Sequence, residues 1–468
     1  MRRRALWPAL ALLLAGSVVS VTPARPVGAL GDSTGTTTRV SVRTGGAQAA
    51  ARGPATAGQP AVADNGSAVA FTSDATNLVP GDRNGVTDVF VNAGGSIERV
   101  SVRSDGGEAD GASWAPALSE NGQFVAFVSD ADNLVPGDTN HAPDVFVYDR
   151  AATTLSRVSL AADGSEANGA SGAPSIDRLG AHVAFTSEAT NLVPGDDNGA
   201  TDVFVRTVGA GATTTLASVS AAGPGPGDGP SGEPALSLDG THIAFSSDAT
   251  NLVASDTNQK KDVFRRDLGA GGTTVLVSAR NGTSTPGNRN SFSPSLSVNG
   301  ALVAFASDAT NLLSGPDGND STDVFLRDPD AKTTTLVSQD CGGDEGNDAS
   351  TAPRITSDAG GSTAGVAFVS LASNLLDGCG GGGAPDNNNV SDVYFRPSFG
   401  SPIVNERVSL AVDGSEFNRP TTEVALAGRA QLVAFTTATP DAAGAAVFAR
   451  SRGASPATTA QSVPAAGP

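Results

Sequence analysis

Acidic and amide side chains recur at a fixed spacing along this chain. Three stretches show it most clearly: NLVPGDRNGVTDVFV from Asn77, NLVPGDTNHAPDVFV from Asn133 and NLVPGDDNGATDVFV from Asn191. Each contains Asp-x-Asn-x-x-x-Asp directly before a short apolar run. Oxygen ligands at alternating positions, followed by a further carboxylate, are how short loops hold hard cations such as calcium. The pattern occurs at Asp82/Asn84/Asp88, Asp138/Asn140/Asp144, Asp196/Asn198/Asp202, Asp256/Asn258/Asp262, Asp317/Asn319/Asp323 and Asp386/Asn388/Asp392.

Two interpretations of this pattern are open from the sequence. The first is turn chemistry, because Asp and Asn side chains accept hydrogen bonds from backbone N–H groups two residues on, and Asn or Gly tolerates positive φ. The second is a set of calcium loops, in which two carboxylates and one amide oxygen bind the ion. The pattern lacks the position-5 ligand and the bidentate Glu of an EF-hand loop. A calcium loop of this kind would therefore be weak, with a Kd of about 10⁻⁴–10⁻³ M.

The segments around these loops form a repeat. Each unit has a turn segment such as PALSENG from Pro116, the triplet Val/Ile-Ala-Phe, the polar loop with Asp-Val-Phe, and a Thr-rich run ending in Val-Ser. These are four short strand candidates, A to D in chain order, separated by Gly, Asn and Asp. Seven units of four strands predict an all-β, seven-bladed β-propeller with four-stranded antiparallel blades. The triplets begin at Val69, Val125, Val183, Ile243, Val303, Val366 and Val433.

The two ends of the repeat region complement each other. The seventh unit has strand candidates at 423–426, 432–436 and 445–449, but it has no fourth strand. An unassigned TTTRVSVR begins at Thr36. We therefore expect an N-terminal strand, at about residues 37–43, to complete blade seven and close the ring, because closure removes two exposed sheet edges.

The first residues are typical of an export signal. A basic start, Arg2 to Arg4, precedes an apolar run over 5–21, and cleavage can follow Ala24 or Ala29. An uncleaved N-terminal anchor is the alternative. No later segment is apolar enough to span a bilayer, so we expect a secreted or extracytoplasmic protein of the cell envelope. The expected division is a signal peptide 1–29, a linker 30–36, the propeller 37–451 and a disordered tail 452–468.

The formal net charge of the 468 residues is −19. Phosphates are repelled by such a chain, which argues against nucleic acid and anionic membranes as partners. Two interpretations of the negative charge are open: it keeps the protein soluble, or it forms an acidic binding face.

One face of the predicted ring collects much of this acidity. The B–C and D–A loops of a propeller emerge together, and the D–A loops are also acidic, as in SDGGEAD from Ser104 and VDGSEFN from Val412. Cys341 lies in the D–A loop before unit six, and Cys379 lies in the B–C loop of that unit. We therefore expect a disulfide between them, because an exported protein folds in an oxidising compartment.

The sequence offers no clear catalytic group. His182 and His242 precede B strands in adjacent units, and His141 stands alone in a B–C loop, so no two histidines form a predicted pair. GDSTG at Gly31 fits a nucleophile-elbow string, but it lies outside any strand-turn-helix context. Trp114 provides no aromatic platform by itself. We assign no catalytic residue and no certain cofactor, with calcium as the one candidate.

The repeat resembles that of the TolB-like β-propellers, which are related to WD repeats. The resemblance rests on P-x-L-S-x-x-G, then V-A-F-x-S-x-A, then D-V-F-V-x-D, and it covers residues 37–451. It implies a propeller fold. Members of this group serve as periplasmic protein-binding scaffolds, as gates on prolyl-peptidase-type hydrolases and as sugar-processing enzymes. The periplasmic prototype has six blades and an additional N-terminal domain, so its partner is not carried over to this chain.

Three functions remain open at this stage. The chain is an exported binding or scaffold module that acts through its acidic loop face, a carbohydrate-active lyase or hydrolase with its site at the central pore, or a calcium-stabilised surface protein. The fold alone is compatible with all three. The scarcity of His and Trp favours the first and third, with a protein or cell-envelope ligand as partner and a monomer as the expected state.

Overall fold

A computed structural model describes residues 35–44, 57–315, 317–357, 364–379, 386–397, 404–438 and 445–452. The expected signal peptide and all but the first residue of the expected tail lie outside these residues. Within the described ranges the chain forms 28 strands in seven four-stranded antiparallel sheets, with a single 3₁₀ turn at Gly428–Ala430. This confirms the all-β, seven-bladed β-propeller. The same ranges contain no helix with the length and apolar character needed to cross a bilayer.

Six blades are built from consecutive strands in the order A to D. Blades one to three contain β2 (Ala57–Val62), β3 (Ala68–Ser73), β4 (Asp88–Ala93), β5 (Ser96–Arg99); β6 (Ser113–Leu118), β7 (Phe124–Ser129), β8 (Asp144–Asp149), β9 (Thr154–Arg157); and β10 (Ser171–Ile176), β11 (His182–Ser187), β12 (Asp202–Thr207), β13 (Thr214–Leu216). Blades four to six contain β14 (Ser231–Leu236), β15 (His242–Ser247), β16 (Asp262–Asp267), β17 (Thr274–Leu276); β18 (Ser291–Leu296), β19 (Val303–Ser307), β20 (Asp323–Asp328), β21 (Thr333–Leu336); and β22 (Ser350–Ser357), β23 (Ala364–Ser370), β24 (Asp392–Arg396), β25 (Glu406–Arg407).

Blade seven is assembled from both ends of the described chain. It contains β26 (Thr421–Leu426), β27 (Leu432–Ala438), β28 (Ala445–Ser451) and, as its fourth strand, β1 (Thr37–Arg39). Strand β1 pairs antiparallel with β28, and the N–H of Val40 donates to the carbonyl of Val447 at 2.8 Å. The expected closure by an N-terminal strand is therefore confirmed.

The closing strand is shorter than the seven residues that the sequence predicted. The N–H groups of Val40 and Ser41 both approach the carbonyl of Val447, at 2.8 and 3.4 Å, so the ladder is interrupted directly after Arg39. The Ser41 hydroxyl then accepts the N–H of Val447 at 3.2 Å.

Side chains on the two faces of the Val-Ala-Phe strand pack against the two neighbouring blades. Phe127 on β7 lies opposite Phe146 on β8, and their rings stack with centroids 5.9 Å apart. This pair packs against Ala70 and Val91 of blade one, whereas Ala126, on the other side of the same strand, packs toward blade three. Side chains alternate between the two faces of a strand. Each blade therefore presents a large aromatic surface to the blade before it and a small alanine to the blade after it.

The closing strand provides a test of the ring. Deletion of residues 1–44 removes β1, exposes the edge of β28 and leaves unpaired several backbone groups, each of which contributes about 1 kcal/mol. We expect a loss of about 3 kcal/mol or more in the free energy of unfolding, measured by urea denaturation. Deletion of residues 1–34, which retains β1, is the matched control and should unfold like the full chain. Equal midpoints for the two deletions would contradict a closing role for β1.

Candidate functional site

A buried aspartate begins the C strand in six blades, and it is the last Asp of the repeated loop pattern. In blade three, Asp202 Oδ1 accepts a hydrogen bond from the Ser218 hydroxyl at 2.5 Å, and Ser218 accepts the N–H of Val203 at 3.1 Å. The end of the D strand is thereby fixed to the beginning of the C strand. The same pairs are Asp88–Ser101, Asp144–Ser159, Asp262–Ser278, Asp323–Ser338 and Asp392–Ser409.

The asparagine of each loop uses its amide in one constant way. In blade three, Asn198 Oδ1 accepts the N–H of Ala200 at 2.9 Å, and Nδ2 donates to Asp202 at 2.8 Å and to the carbonyl of Gly227 at 2.9 Å. The residue after the asparagine has positive φ in all six loops, as turn chemistry requires. These residues are Gly85, His141, Gly199, Gln259, Asp320 and Asn389.

The structure shows one use of the amide oxygen that the calcium interpretation counted among the ligands of every loop. In each of the six loops, Oδ1 of the asparagine accepts the backbone N–H two residues on, so this oxygen is engaged in the turn. The side chain turns its Nδ2 donor, which repels a cation, toward the last carboxylate or the next loop. This geometry is the one that turn chemistry predicts for all six asparagines, whose role as ligands stays a prediction: Asn84, Asn140, Asn198, Asn258, Asn319 and Asn388.

This asparagine geometry also joins the two kinds of loop on one face. The Nδ2 group reaches a carbonyl of the following D–A loop in every one of the six blades. The carboxylates of these loops are the charged side-chain ligands that a cation would find there. We call the B–C and D–A loops together the acidic loop face.

An arginine lies among the carboxylates in three blades. In blade two, Arg157 Nη1 lies 3.2 Å from Asp138, 3.0 Å from Asp144 and 2.7 Å from Glu166, and its side chain is only 8% exposed. Hydrogen bonds from Thr139 and Arg157 outweigh burial and lower the pKa of Glu166 to about 2. The equivalent groups are Arg99 with Asp82, Asp88 and Glu108, and Arg407 with Asp386, Asp392 and Glu416.

Leucine replaces this arginine in the other three blades with the pattern. Arg157 lies opposite Phe146 in the ladder, and Leu336 lies opposite Phe325 in the same register. Leu216 and Leu276 hold this position in blades three and four. The third carboxylate is also replaced there, by Pro226 and Pro286, but blade five retains it as Glu345.

Blade five therefore contains three carboxylates without the arginine. Ligand atoms of Asp317, Asp323 and Glu345 lie within 4.8 Å of one another. Asp323 is 2% exposed, and burial together with the charge of Glu345 raises its pKa to about 8. A cavity of 510 Å³, lined by Asp317, Glu345, Leu336 and Phe325, adjoins the cluster. We call these three carboxylate residues the blade-five cluster.

Blade four shows the same deficit of positive charge. Asp256 is 8% exposed, and among the described residues no side chain donates a hydrogen bond to its carboxylate oxygens. Burial raises the pKa of Asp262 from 3.8 to about 7, and Asp256 adds to this effect. Burial also raises the pKa of Asp196 in blade three to about 6. A buried carboxylate favours its neutral form or a bound cation.

A disulfide fixes the loop that carries Glu345. Cys341 and Cys379 are bonded, with their Cα atoms 4.9 Å apart. The N–H of Cys341 donates to the carbonyl of Asp377 at 3.0 Å, which adds a backbone link between the two loops. The D–A loop after blade five is thus attached to the B–C loop of blade six.

The three histidines each lie beside a different carboxylate. His141 Nδ1 is 2.6 Å from Asp132, and His182 Nδ1 is 2.7 Å from Asp177. His242 Nε2 is 3.1 Å from Asp267, which lies opposite it on the neighbouring strand. The three pairs lie in three different blades.

Charged residues in the central channel were not recognised from the sequence. The A strands contact one another around the ring and enclose a cavity of 390 Å³. Glu233 and Arg354 line it, and Glu423 lies nearby on β26. An alignment of the A strands would have revealed Arg354. Three of them read SGAPSI, SGEPAL and SFSPSL, whereas STAPRI is the one segment with Arg at the fifth position.

Seven four-stranded antiparallel blades around a channel define this protein as a β-propeller. No protein-family model and no curated protein sequence matches the chain. Similar solved structures include TolB from Acinetobacter baumannii, at 14% identity and a TM-score of 0.35 over 66% of this chain and 62% of that chain. A putative TolB from Agrobacterium tumefaciens has 15% identity and a TM-score of 0.36, over 60% of this chain and 79% of that chain.

A further similar structure is an oligogalacturonate lyase in complex with manganese. It shares 12% identity with a TM-score of 0.48, over 90% of this chain and 97% of that chain. The chain spans less than two thirds of the Acinetobacter protein. At these identities the likeness concerns the propeller architecture.

The buried aspartate of blade four predicts a pH effect on stability. Between pH 3.8 and about 7 the folded state keeps a proton on Asp262 that the unfolded state has released. Rising pH therefore favours the unfolded state, and the free energy of unfolding falls by up to about 1.4 kcal/mol per pH unit. Asp262→Asn should flatten this decline in urea unfolding with a chelator present.

The matched control for this measurement is Asp105→Asn. Asp105 lies exposed in a D–A loop and pairs with exposed Arg103 at 2.6 Å. This variant changes the net charge equally and should keep the decline of the wild type. A decline as steep in Asp262→Asn as in the control would rule out Asp262 as its source.

Proposed function

We propose that this chain is an exported binding module that engages a partner through its acidic loop face, and that calcium stabilises this face. The observation that carries the proposal is the exchange of Arg for Leu at one ladder position. Blades one, two and six neutralise their carboxylates with an internal guanidinium, whereas blades three, four and five do not.

Calcium suits the blade-five cluster because its side-chain ligands are all oxygen. Asp317, Asp323 and Glu345 provide three carboxylates, and backbone carbonyls or water can complete a shell of six to eight ligands. In blade two the same three positions surround the guanidinium of Arg157. The cluster is therefore a place where this fold accepts positive charge.

A basic protein partner suits the same face. The net charge of −19 favours the approach of cations and disfavours nucleic acid. Beside the blade-five cluster, Leu312, Leu313 and Phe325 line the 510 Å³ cavity together with acidic groups. A long basic side chain can place its alkyl stem on such apolar surface and its charge against the carboxylates.

Installing the missing arginine tests the calcium component. In Leu336→Arg the new guanidinium should reach the blade-five cluster as Arg157 reaches its own in blade two. We expect a higher melting temperature than wild type in chelator and a smaller increase on adding millimolar calcium. A site occupied at ten times its Kd contributes about 1.4 kcal/mol, which is the size of the shift to be lost.

Leu336→Met is the matched control for this variant. It retains an apolar side chain of similar size opposite Phe325, so its calcium shift should equal that of the wild type. A wild type whose melting temperature does not respond to calcium would overturn calcium stabilisation. That result would not address the binding of a basic partner, which the peptide titration tests separately.

An oligoarginine peptide tests the partner component. We expect it to bind the wild type in isothermal titration calorimetry, with an affinity that falls as salt rises. Leu336→Arg should weaken binding about tenfold, because charge-assisted hydrogen bonds contribute about 1.5–3 kcal/mol, and Leu336→Met should not. Equal affinity for all three proteins would show that the blade-five cluster takes no part.

A further inference from the structure

The wall of the central channel follows a regular rule. The third residue of the A strand has positive φ in blades one to six, and proline follows it in each of these strands. The register with the B strand shifts at this point, so each of these six A strands carries a bulge. The fifth residue of the strand lines the cavity in blades two to six. It is small in six blades: Ala61, Ala117, Ser175, Ala235, Ser295 and Ala425.

Arg354 is the exception to this rule. It occupies the fifth position of β22 in blade six, lines the cavity and is exposed to it. Its Nη1 donates to the carbonyl of Pro353 at 2.9 Å. Among the described residues no carboxylate lies within 4.0 Å of its guanidinium nitrogens. An arginine has five N–H donors, and most of those of Arg354 have no acceptor among the described protein groups.

The nearby glutamates are committed elsewhere. Glu233 accepts the N–H of Ser293 and the hydroxyl of Ser246, both at 2.8 Å. Glu423 accepts the N–H of Gln59 at 2.6 Å and the hydroxyl of Thr436 at 2.7 Å. These carboxylates satisfy the backbone of the neighbouring bulge, so they do not neutralise Arg354 at short range.

Two hydroxyl groups add to the donors that face the channel. Ser175 Oγ accepts the N–H of Leu236 at 2.9 Å, and Ser295 Oγ accepts the N–H of Ile355 at 3.1 Å. In the described part of the chain neither hydroxyl donates to another group, so both hydrogens are available to a ligand. Both serines line the same cavity as Arg354.

The rest of the lining is mixed, because Asp64, Ser293 and Thr356 add polar side chains to an apolar wall. Pro174, Pro234, Pro294, Leu236 and Leu296 contribute to the cavity wall. A volume of 390 Å³ lies within the range of small-molecule sites, which are largely apolar with a few placed polar groups.

We propose that the central channel binds a small organic acid, whose carboxylate pairs with Arg354 and whose body lies against the proline and leucine wall. The planar guanidinium matches a carboxylate with two parallel hydrogen bonds. Hydrogen bonds from neutral donors do not remove the charges of Glu233 and Glu423, so the preference for a carboxylate rests on its direct pairing with Arg354. This site lies at the ring axis, so it is separate from the acidic loop face.

The pKa of Arg354 is compatible with this role. Its position deep in the channel lowers the pKa by desolvation, and the charges of Glu233 and Glu423 act in the opposite direction. An arginine remains protonated across the working range of proteins. Arg354 therefore retains its positive charge, in a lining that also holds the carboxylates of Asp64 and Glu233.

The test pairs organic acids with uncharged counterparts. Isothermal titration calorimetry should detect millimolar or tighter binding of benzoate or glucuronate to the full chain. Benzyl alcohol and glucose, which lack the carboxylate, should bind at least about tenfold more weakly. Arg354→Ala should weaken binding of the acid at least about tenfold, and Arg354→Lys should restore part of it.

Arg354→Ala is expected to fold, because four other blades carry alanine at this position: Ala61, Ala117, Ala235 and Ala425. Arg103→Ala changes the net charge equally on an exposed loop, and it should bind the acid as the wild type does. Failure of both acids to bind the wild type, or equal binding by Arg354→Ala and the wild type, would overturn the proposal. Neither result bears on the calcium or peptide measurements at the loop face.

Discussion

A buried carboxylate at the start of the third strand organises six of the seven blades. Removing such a charge from water is costly unless hydrogen bonds or an opposite charge surround it. Serine from the fourth strand, asparagine from the loop and, in three blades, arginine supply these partners, as around Asp144. Blade seven has Ala446 in place of this aspartate, yet Ser41 still accepts a backbone N–H there. The buried aspartate therefore fixes the loops of each blade. It also requires a nearby positive charge, and the blades differ in whether an arginine supplies it.

The sequence was sufficient for the fold because the repeat encodes it locally. The Val-Ala-Phe strand shows its two faces within three residues, and the Asp-x-Asn loop keeps its spacing while its surroundings vary. The ring closure could also be inferred, because a three-strand unit at one end matched an unassigned strand at the other. The shorter length of β1 was missed, although Val40 and Ser41 converge on one carbonyl of β28 just as Val158 and Ser159 converge on that of Val145 in blade two.

Only part of the candidate site could be predicted from the sequence. The pattern located Asp317 and Asp323, but Glu345 and Leu336 belong to other segments and reach the cluster only through the ladder register and the D–A loop. The amide orientation of the asparagines was equally hidden, because it depends on a carbonyl of a distant loop. Arg354 stands out only when the A strands are aligned position by position. In a repeat protein, the departures from the consensus distinguish equivalent positions. Here they are Arg354, the two cysteines and the combination of Leu336 with Glu345.

The composite seventh blade has a consequence for how the ring is held shut. Thr36 and Ser451 are hydrogen-bonded, so the two sides of the seam meet at one place in space. A circular permutant that joined these ends and opened the chain in a D–A loop would build all seven blades from contiguous segments. Its new seam would then lie between two complete sheets, held by stacked phenylalanine against alanine and without shared strand hydrogen bonds. The natural order of the chain, in contrast, secures the ring with a backbone ladder, which resists opening by shear more strongly than a side-chain interface alone.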